Sequence, residues 1–195
     1  MTDAARPRWV VVDLEGTCWV PEEHPTLAAD QRNECEVIEI GAVRVDPIDG
    51  SPMSEFSSLV RPRRHPTLSP FCRRLTGITQ QDVDGAPTFA EAYEAFVSWA
   101  EGDEGLVLAS WGAWDDRQLR RDAGRWGLPE PRWQGLNVKR LFARRAQGSN
   151  APRGGWMGLK AAVDHLGGTF TGAAHRGLDD ARNVAWVLQR LRTDP

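Results

Sequence analysis

Apolar and polar positions along this chain follow two different periods, and the switch between them separates strands from helices. Residues 9–15 (WVVVDLE) form a short apolar, β-branched run that stops at Gly16, which reads as a buried strand. Residues 36–46 (EVIEIGAVRVD) alternate apolar and polar, as a half-buried strand does, and run into the turn residues Asp46, Pro47, Asp49 and Gly50. Residues 54–60 (SEFSSLV) supply a third strand. Two hairpin-like connections would make these three an antiparallel opening unit. Beyond them the period lengthens. Residues 88–100 place Phe89, Tyr93, Phe96 and Ala100 at helical spacing, with Glu91 as capping-box partner of Thr88. A compact apolar run at 105–110 predicts a buried strand, and 114–126 a charged surface helix ending at Gly127. A weak strand at 133–138, a short helix at 138–145 and a Gly/Ser/Pro loop at 148–155 follow. Helices at 158–166 and 178–191 close the chain; the last carries Leu178, Ala181, Ala185, Leu188 and Leu191 on one face.

An antiparallel unit followed by alternating helices and strands argues for an α/β fold with a central mixed five-stranded sheet flanked by helices. With 195 residues, 41% hydrophobic and 26% charged, the chain is long enough for one good core and too apolar for wholesale disorder. No repeat or linker divides it, so residues 1–195 are expected to form a single domain with its core at about 8–192. The longest apolar runs fall far short of the ~20 residues of a spanning helix, which argues against a membrane partner. The first ten residues hold no signal-peptide h-region, so a cytoplasmic location is expected. Cys18, Cys35 and Cys72 form no C-x-x-C pair, as suits reduced thiols rather than a zinc cage.

The net charge of −3 announces no nucleic-acid partner, but 22 of the 24 cations are arginine. They gather at Arg61, Arg63 and Arg64, at Arg73 and Arg74, at Arg117, Arg120, Arg121 and Arg125, and at Lys139, Arg140, Arg144, Arg145 and Arg153. Guanidinium forks suit phosphate, and such groups equally serve as solvated faces balanced by acids.

The candidate chemistry is carried by carboxylates. Asp13 and Glu15 stand two apart at the end of a buried strand, so both side chains point to one face. Roughly one D-x-E is expected by chance at this composition, so the pair says little alone. Asp115 and Asp116 sit where a strand hands over to a helix, the usual end for a site in an α/β sheet, although one of them suits an N-cap. His175 precedes Asp180 by five residues at the start of the last helix. Together these form an acidic set with a histidine base. Hard oxygen ligands suit Mg²⁺ or Mn²⁺, two such ions stabilise the attacking and leaving oxygens of a phosphodiester, and an imidazole titrates near neutrality.

Five segments in order, VVDLEGTCW (11–19), EVIEIGAVRVD (36–46), RLTGIT (74–79), WGAWD (111–115) and HRGLDDARN (175–183), resemble the DEDDh 3′-to-5′ exonucleases. That family has the ribonuclease H-like fold, and the likeness is closest to the branch that includes the histone-mRNA and small-RNA trimming exoribonucleases. The resemblance spans about residues 8–192. It implies two-metal hydrolysis, with Asp13, Glu15, Asp115 and Asp180 as ligands of two Mg²⁺ or Mn²⁺ ions, Asp13 bridging them, and His175 as general base. Gly16, Thr17 and Cys18 would lie against the terminal nucleotide, Leu75 and Thr76 would help seat its 3′ end, and Trp19 or Trp114 would stack on a base. The implied partner is the 3′ end of single-stranded RNA or DNA, RNA favoured, with any protein partner unknown. The family's tyrosine variant does not fit, because the only tyrosine is Tyr93. At 195 residues the catalytic domain is expected to leave no room for the family's additional RNA-binding modules.

Two rivals are weaker. DLEGT at 13–17 resembles the D-x-D-G-T nucleophile of a phosphatase class, but its second acid is Glu15 and GDEG at 102–105 makes a poor downstream acidic loop. A nucleic-acid-binding module without catalysis is possible on any such fold, yet every expected ligand is present.

Overall fold

Strand β1 (Arg8–Gly16) is the centre of the molecule, and its residues alternate between two cores. The computed structural model describes residues 8–147 and 157–193, so the loop expected at 148–155, with Arg153, lies outside the described residues. Val10, Val12 and Leu14 pack with Phe89 and Phe96 of α5 (Phe89–Trp99) and with Leu119 and Ala123 of α6 (Trp114–Arg125). Val11 points the other way, into a core shared with α7 (Val138–Gln147), α8 (Leu159–His165) and α9 (Gly177–Thr193). Asp13 and Glu15 continue the row of Val11. Side chains such as Phe96 and Leu188, at most 1% exposed, each contribute about 1.5–3 kcal/mol of burial.

The sheet is mixed and five-stranded, in the order β3-β2-β1-β4-β5. β2 (Val37–Val45) runs antiparallel to both β1 and β3 (Pro52–Leu59), while β4 (Leu106–Ser110) and β5 (Gln134–Asn137) continue in parallel with β1. This is the expected architecture. The expected capping box is also present, Thr88 Oγ1 accepting from the Glu91 N–H and Glu91 from the Thr88 N–H. No helix among the described residues is long and apolar enough to cross a membrane.

Two local expectations need correction. The connection between β1 and β2 is no hairpin; it holds two short helices, α1 (Pro25–Ala29) and α2 (Gln31–Glu34). β2 is buried on both faces rather than half-buried, because α9 covers the face on which Glu39 and Gly41 stand. Helices α3 (Pro70–Thr76) and α4 (Gln80–Asp84) precede α5 in residues where no element was expected. At seven and five residues they are too short to display a helical period, though their caps are explicit: Ser69 before Pro70, and Thr79 in a capping box with Asp82.

The seat of α9 is set by two glycines. A Cβ on Gly41 would stand 2.0 Å from the backbone carbon of Gly177 and 2.0 Å from the nitrogen of Leu178. A Cβ on Gly177 would meet the backbone oxygen of Asp13 and the nitrogen of Gly41, each at 3.0 Å. The first turn of α9 therefore rests on bare backbone of β2. Gly41→Ala is expected to cost about 3 kcal/mol, seen as a fall of roughly 6–12 °C in Tm, because backbone must move. Gly85→Ala, with open space around it, should melt with the wild type. Equal melting of the two variants would contradict this seating.

Candidate active site

The parallel strands β1 and β4 end at the same edge of the sheet, where α6 and α9 begin. Asp13 and Glu15 reach this edge on one face of β1. Asp115, in the first turn of α6, is 5% exposed and its Oδ1 accepts a hydrogen bond from the Leu14 N–H at 3.1 Å. That bond fixes the third carboxylate against the strand that carries the first two. Asp116 is held elsewhere, accepting from Arg120 Nε at 2.9 Å and Trp133 Nε1 at 2.7 Å. It is a structural residue, and the geometry separates the two adjacent aspartates.

Asp180 lies in the first turn of α9, and its Oδ2 accepts from the His175 N–H at 2.8 Å. His175 itself has a left-handed φ of 62°, uncommon for a residue with a side chain. Its loop is tied down by the same helix: Asp179 accepts from the Ala173 N–H at 2.9 Å, and Asn183 bonds both polar backbone groups of Thr171. The HRGLDDARN segment thus folds back on itself to present the imidazole. One ligand atom each from Glu15, His175 and Asp180 lie within 4.8 Å of one another. Asp13, Glu15, Asp115, His175 and Asp180 all line one cleft of about 710 Å³.

The other expected residues are dispersed. Trp114, 40% exposed, lines the cleft, and its ring lies against Gly16: a Cβ there would stand 3.2 Å from the ring and 2.5 Å from Cys35 Sγ. Thr17 is 2% exposed and its hydroxyl accepts from the Glu36 N–H. Cys18 is half-buried against Cys72. Thr76 is 2% exposed, with its hydroxyl donating to the Cys72 carbonyl and accepting from the Ile78 N–H. Thr17, Cys18, Leu75 and Thr76 are not among the residues lining the cleft. Trp19 is buried, edge-on to His65. Many of the arginine groups balance local acids: Arg64 pairs with Glu34, Arg74 with Glu23, Arg120 with Asp116 and Arg125 with Asp122.

One residue escaped the sequence reading. Glu39, 2% exposed on β2, accepts from the Gly177 N–H at 3.0 Å and from Nε and Nη2 of Arg176 at 3.3 and 3.2 Å. It fastens the turn between His175 and Asp180 to the sheet. Its signal was an acid two residues before Gly41 in a strand that proves doubly covered.

Two other buried acids sharpen the electrostatics. Glu36 accepts from the N–H groups of Arg63, Arg64 and His65, and Asp122 from the Val37 N–H and from Arg125. They are satisfied by donors. Asp13 and Glu15 receive no such bond among the described residues. Burial, then Asp115, Asp180, Glu15 and Glu39, push the Asp13 carboxyl well above its ordinary range. Burial, then Asp180 and Glu39, push Glu15 up to about 8. Burial raises Asp115 to about 6 against the pull of the Leu14 N–H, and raises Asp180 against that of the His175 N–H. Crowded acids without donors are what a divalent cation neutralises, and an all-oxygen set suits a hard one.

Known proteins resemble this chain in sequence and in fold. A family model described as Exonuclease matches residues 10–188. ERI1 exoribonuclease 2 of Danio rerio is 33% identical over 95% of this chain. This chain spans 35% of that relative's length. Among solved structures, the nuclease domain of 3′hExo, a DEDDh family member bound to rAMP, superposes with a TM-score of 0.77 at 26% identity, covering 97% of this chain and 94% of that one. A 3′-exonuclease solved in the 3′-end specific recognition of histone mRNA stem-loop superposes with a TM-score of 0.76 at 25% identity, covering 97% of this chain and 65% of that one. The mixed sheet flanked by helices is the ribonuclease H-like fold of these exonucleases.

The electrostatics give a signed expectation. Between pH 4.5 and about 8 the unfolded chain has lost the Glu15 proton that the folded chain retains. Unfolding then releases a proton, so the cation-free fold loses stability as pH rises through that window. Thermal melts in EDTA should fall across it, Glu15→Gln should flatten the fall, and Mg²⁺ should raise Tm most at the alkaline end. A flat profile indifferent to Mg²⁺ would contradict the account.

Proposed function

The chain belongs to the exonuclease family, and from that premise we propose that it shortens single-stranded nucleic acid from the 3′ end, RNA in preference to DNA, releasing nucleoside 5′-monophosphates. The observation that carries the reading is the convergence of Glu15, His175 and Asp180 within 4.8 Å, beside Asp13 and Asp115, in an open cleft.

Asp13, Glu15, Asp115 and Asp180 would hold the metal, Mg²⁺ or Mn²⁺, as two ions. When bound, the ions supply charge neutralisation for the attacking and leaving oxygens. The chain's own groups do the rest. His175, exposed on its loop and fixed through its backbone by Asp180, takes the proton of the attacking water on a ring nitrogen. The water oxygen forms a bond to the terminal phosphorus as the bond to O3′ of the penultimate nucleotide breaks. Asp115, anchored by the Leu14 N–H, and Asp180, anchored by the His175 N–H, keep the acidic set in register. Trp114 offers a face to a base at the cleft rim. Gly16, Thr17, Cys18, Leu75 and Thr76 are assigned to support of the 3′-nucleotide site behind that rim.

The preference for RNA is supported by relatives named exoribonucleases and by neighbours bound to rAMP or to a histone mRNA stem-loop. Three free cysteines suit a reducing compartment, in keeping with a cytoplasmic location. Residues 1–195 are proposed to act as a single catalytic domain.

The test is product analysis on 5′-labelled single-stranded RNA and DNA of one sequence, with Mg²⁺, Mn²⁺ or EDTA. A ladder shortening from the 3′ end, faster on RNA and abolished by EDTA, is expected. His175→Ala should lower the rate by ~10²–10⁴ while binding persists. Wild-type turnover in that variant would overturn the base assignment, equal rates on the two sugars the RNA preference, and binding without cleavage the enzyme reading.

A further inference from the structure

The cleft is strongly acidic, and a polyanion must nevertheless enter it. Besides the four carboxylates of the catalytic set, Asp164 of α8 also lines it. Among the described residues, only one lysine or arginine does so, Lys160, in the first turn of α8. It is exposed and forms no hydrogen bond or ion pair among the described residues. This differs from the many arginines already paired with Glu34, Glu23, Asp116 or Asp122. It is also one of only two lysines in a chain with 24 cations, the other being Lys139. A flexible stem with a compact ammonium suits a phosphate whose position shifts along a chain, where a guanidinium fork would demand one geometry.

Its place in the fold sharpens the role. α8 packs through Ala162 and Val163 into the core on the α9 side of the sheet, whereas α6, which carries Trp114, packs through Leu119 and Ala123 into the opposite core. Asp13 and Glu15 stand on the α8 side of β1, and the cleft that they line is also lined by Lys160 of α8 and by Trp114 at the start of α6. Resting on the exonuclease reading above, we propose that Lys160 is the positioning residue for the substrate's sugar-phosphate backbone. It binds a non-bridging phosphate oxygen from the α8 wall while the base lies on the Trp114 wall. A backbone contact of this kind is blind to base sequence. It acts on binding and register rather than on proton transfer.

The experiment compares wild type with Lys160→Ala, Lys160→Arg and Lys160→Glu on a single-stranded RNA oligonucleotide, in Mg²⁺ across a range of salt. Lys160→Ala is expected to raise KM about tenfold with kcat within about threefold. It should also shrink the slope of log(kcat/KM) against log[salt] by about 0.7, the share of one phosphate contact on a single strand. Lys160→Arg should restore most of the affinity, and Lys160→Glu should raise KM further. Unchanged KM and slope in Lys160→Ala would overturn the proposal. Fluorescence anisotropy of the same oligonucleotide separates this failure from failure of the nuclease reading. A wild type that binds without cleaving, with a steeper salt slope than Lys160→Ala, would sink the nuclease reading and keep the phosphate contact. Identical binding slopes, or no binding at all by the wild type, would sink the contact. Because Lys160 is exposed and touches neither core, the variants should melt with the wild type.

Discussion

The first turn of α9 lies on the backbone of β2 because neither Gly41 nor Gly177 has a side chain to hold them apart. Everything at the site depends on that approach. It brings Asp180 over the face of β1 on which Asp13 and Glu15 stand, and it brings the His175 loop to the open edge of the sheet. Glu39 then fastens the turn through the Gly177 N–H and the Arg176 guanidinium. A helix one side chain farther from the sheet could not share a coordination sphere with the strand.

The approach has an electrostatic cost. Four carboxylates are brought together at one cleft, where burial first, and for Asp13 and Glu15 the neighbouring acids next, push them above their ordinary range. Other buried acids are met by donors: Glu36 by the backbone N–H groups of Arg63, Arg64 and His65, and Asp122 by the Val37 N–H and Arg125. Asp13 and Glu15 lack such donors among the described residues, whereas Asp115 and Asp180 each accept one backbone N–H. Stability is given up at the cleft by carboxylates that a divalent cation would neutralise.

Much of this was legible in the residues, and the exceptions have physical causes. The apolar, β-branched run along 9–15 pointed to the central strand, the two-residue spacing placed Asp13 and Glu15 on one face, and the helical apolar period of 178–191 pointed to the body of α9. Helices α1 to α4 were invisible because four to seven residues cannot display a helical period. β2 looked half-buried because Glu39 and Gly41 interrupt its apolar run. Both interruptions are contacts with α9, which no local pattern reveals. Motif order brought the acidic set forward as an expectation, and the Leu14 N–H and the Arg120 pair distinguish the surroundings of Asp115 from those of Asp116. Lys160 carries no motif at all; only the shape of the cleft brings it forward.

The central claim is that the seating of α9 on β2 builds a divalent-cation site from Asp13, Glu15, Asp115 and Asp180. Its most direct test is anomalous diffraction from crystals of the protein grown with Mn²⁺. Two peaks about 3.5–4 Å apart, bounded by those four carboxylates and adjacent to His175, are expected. Crystals with no manganese at that edge of the sheet, and with Asp13 and Glu15 hydrogen-bonded to protein donors instead, would contradict the account.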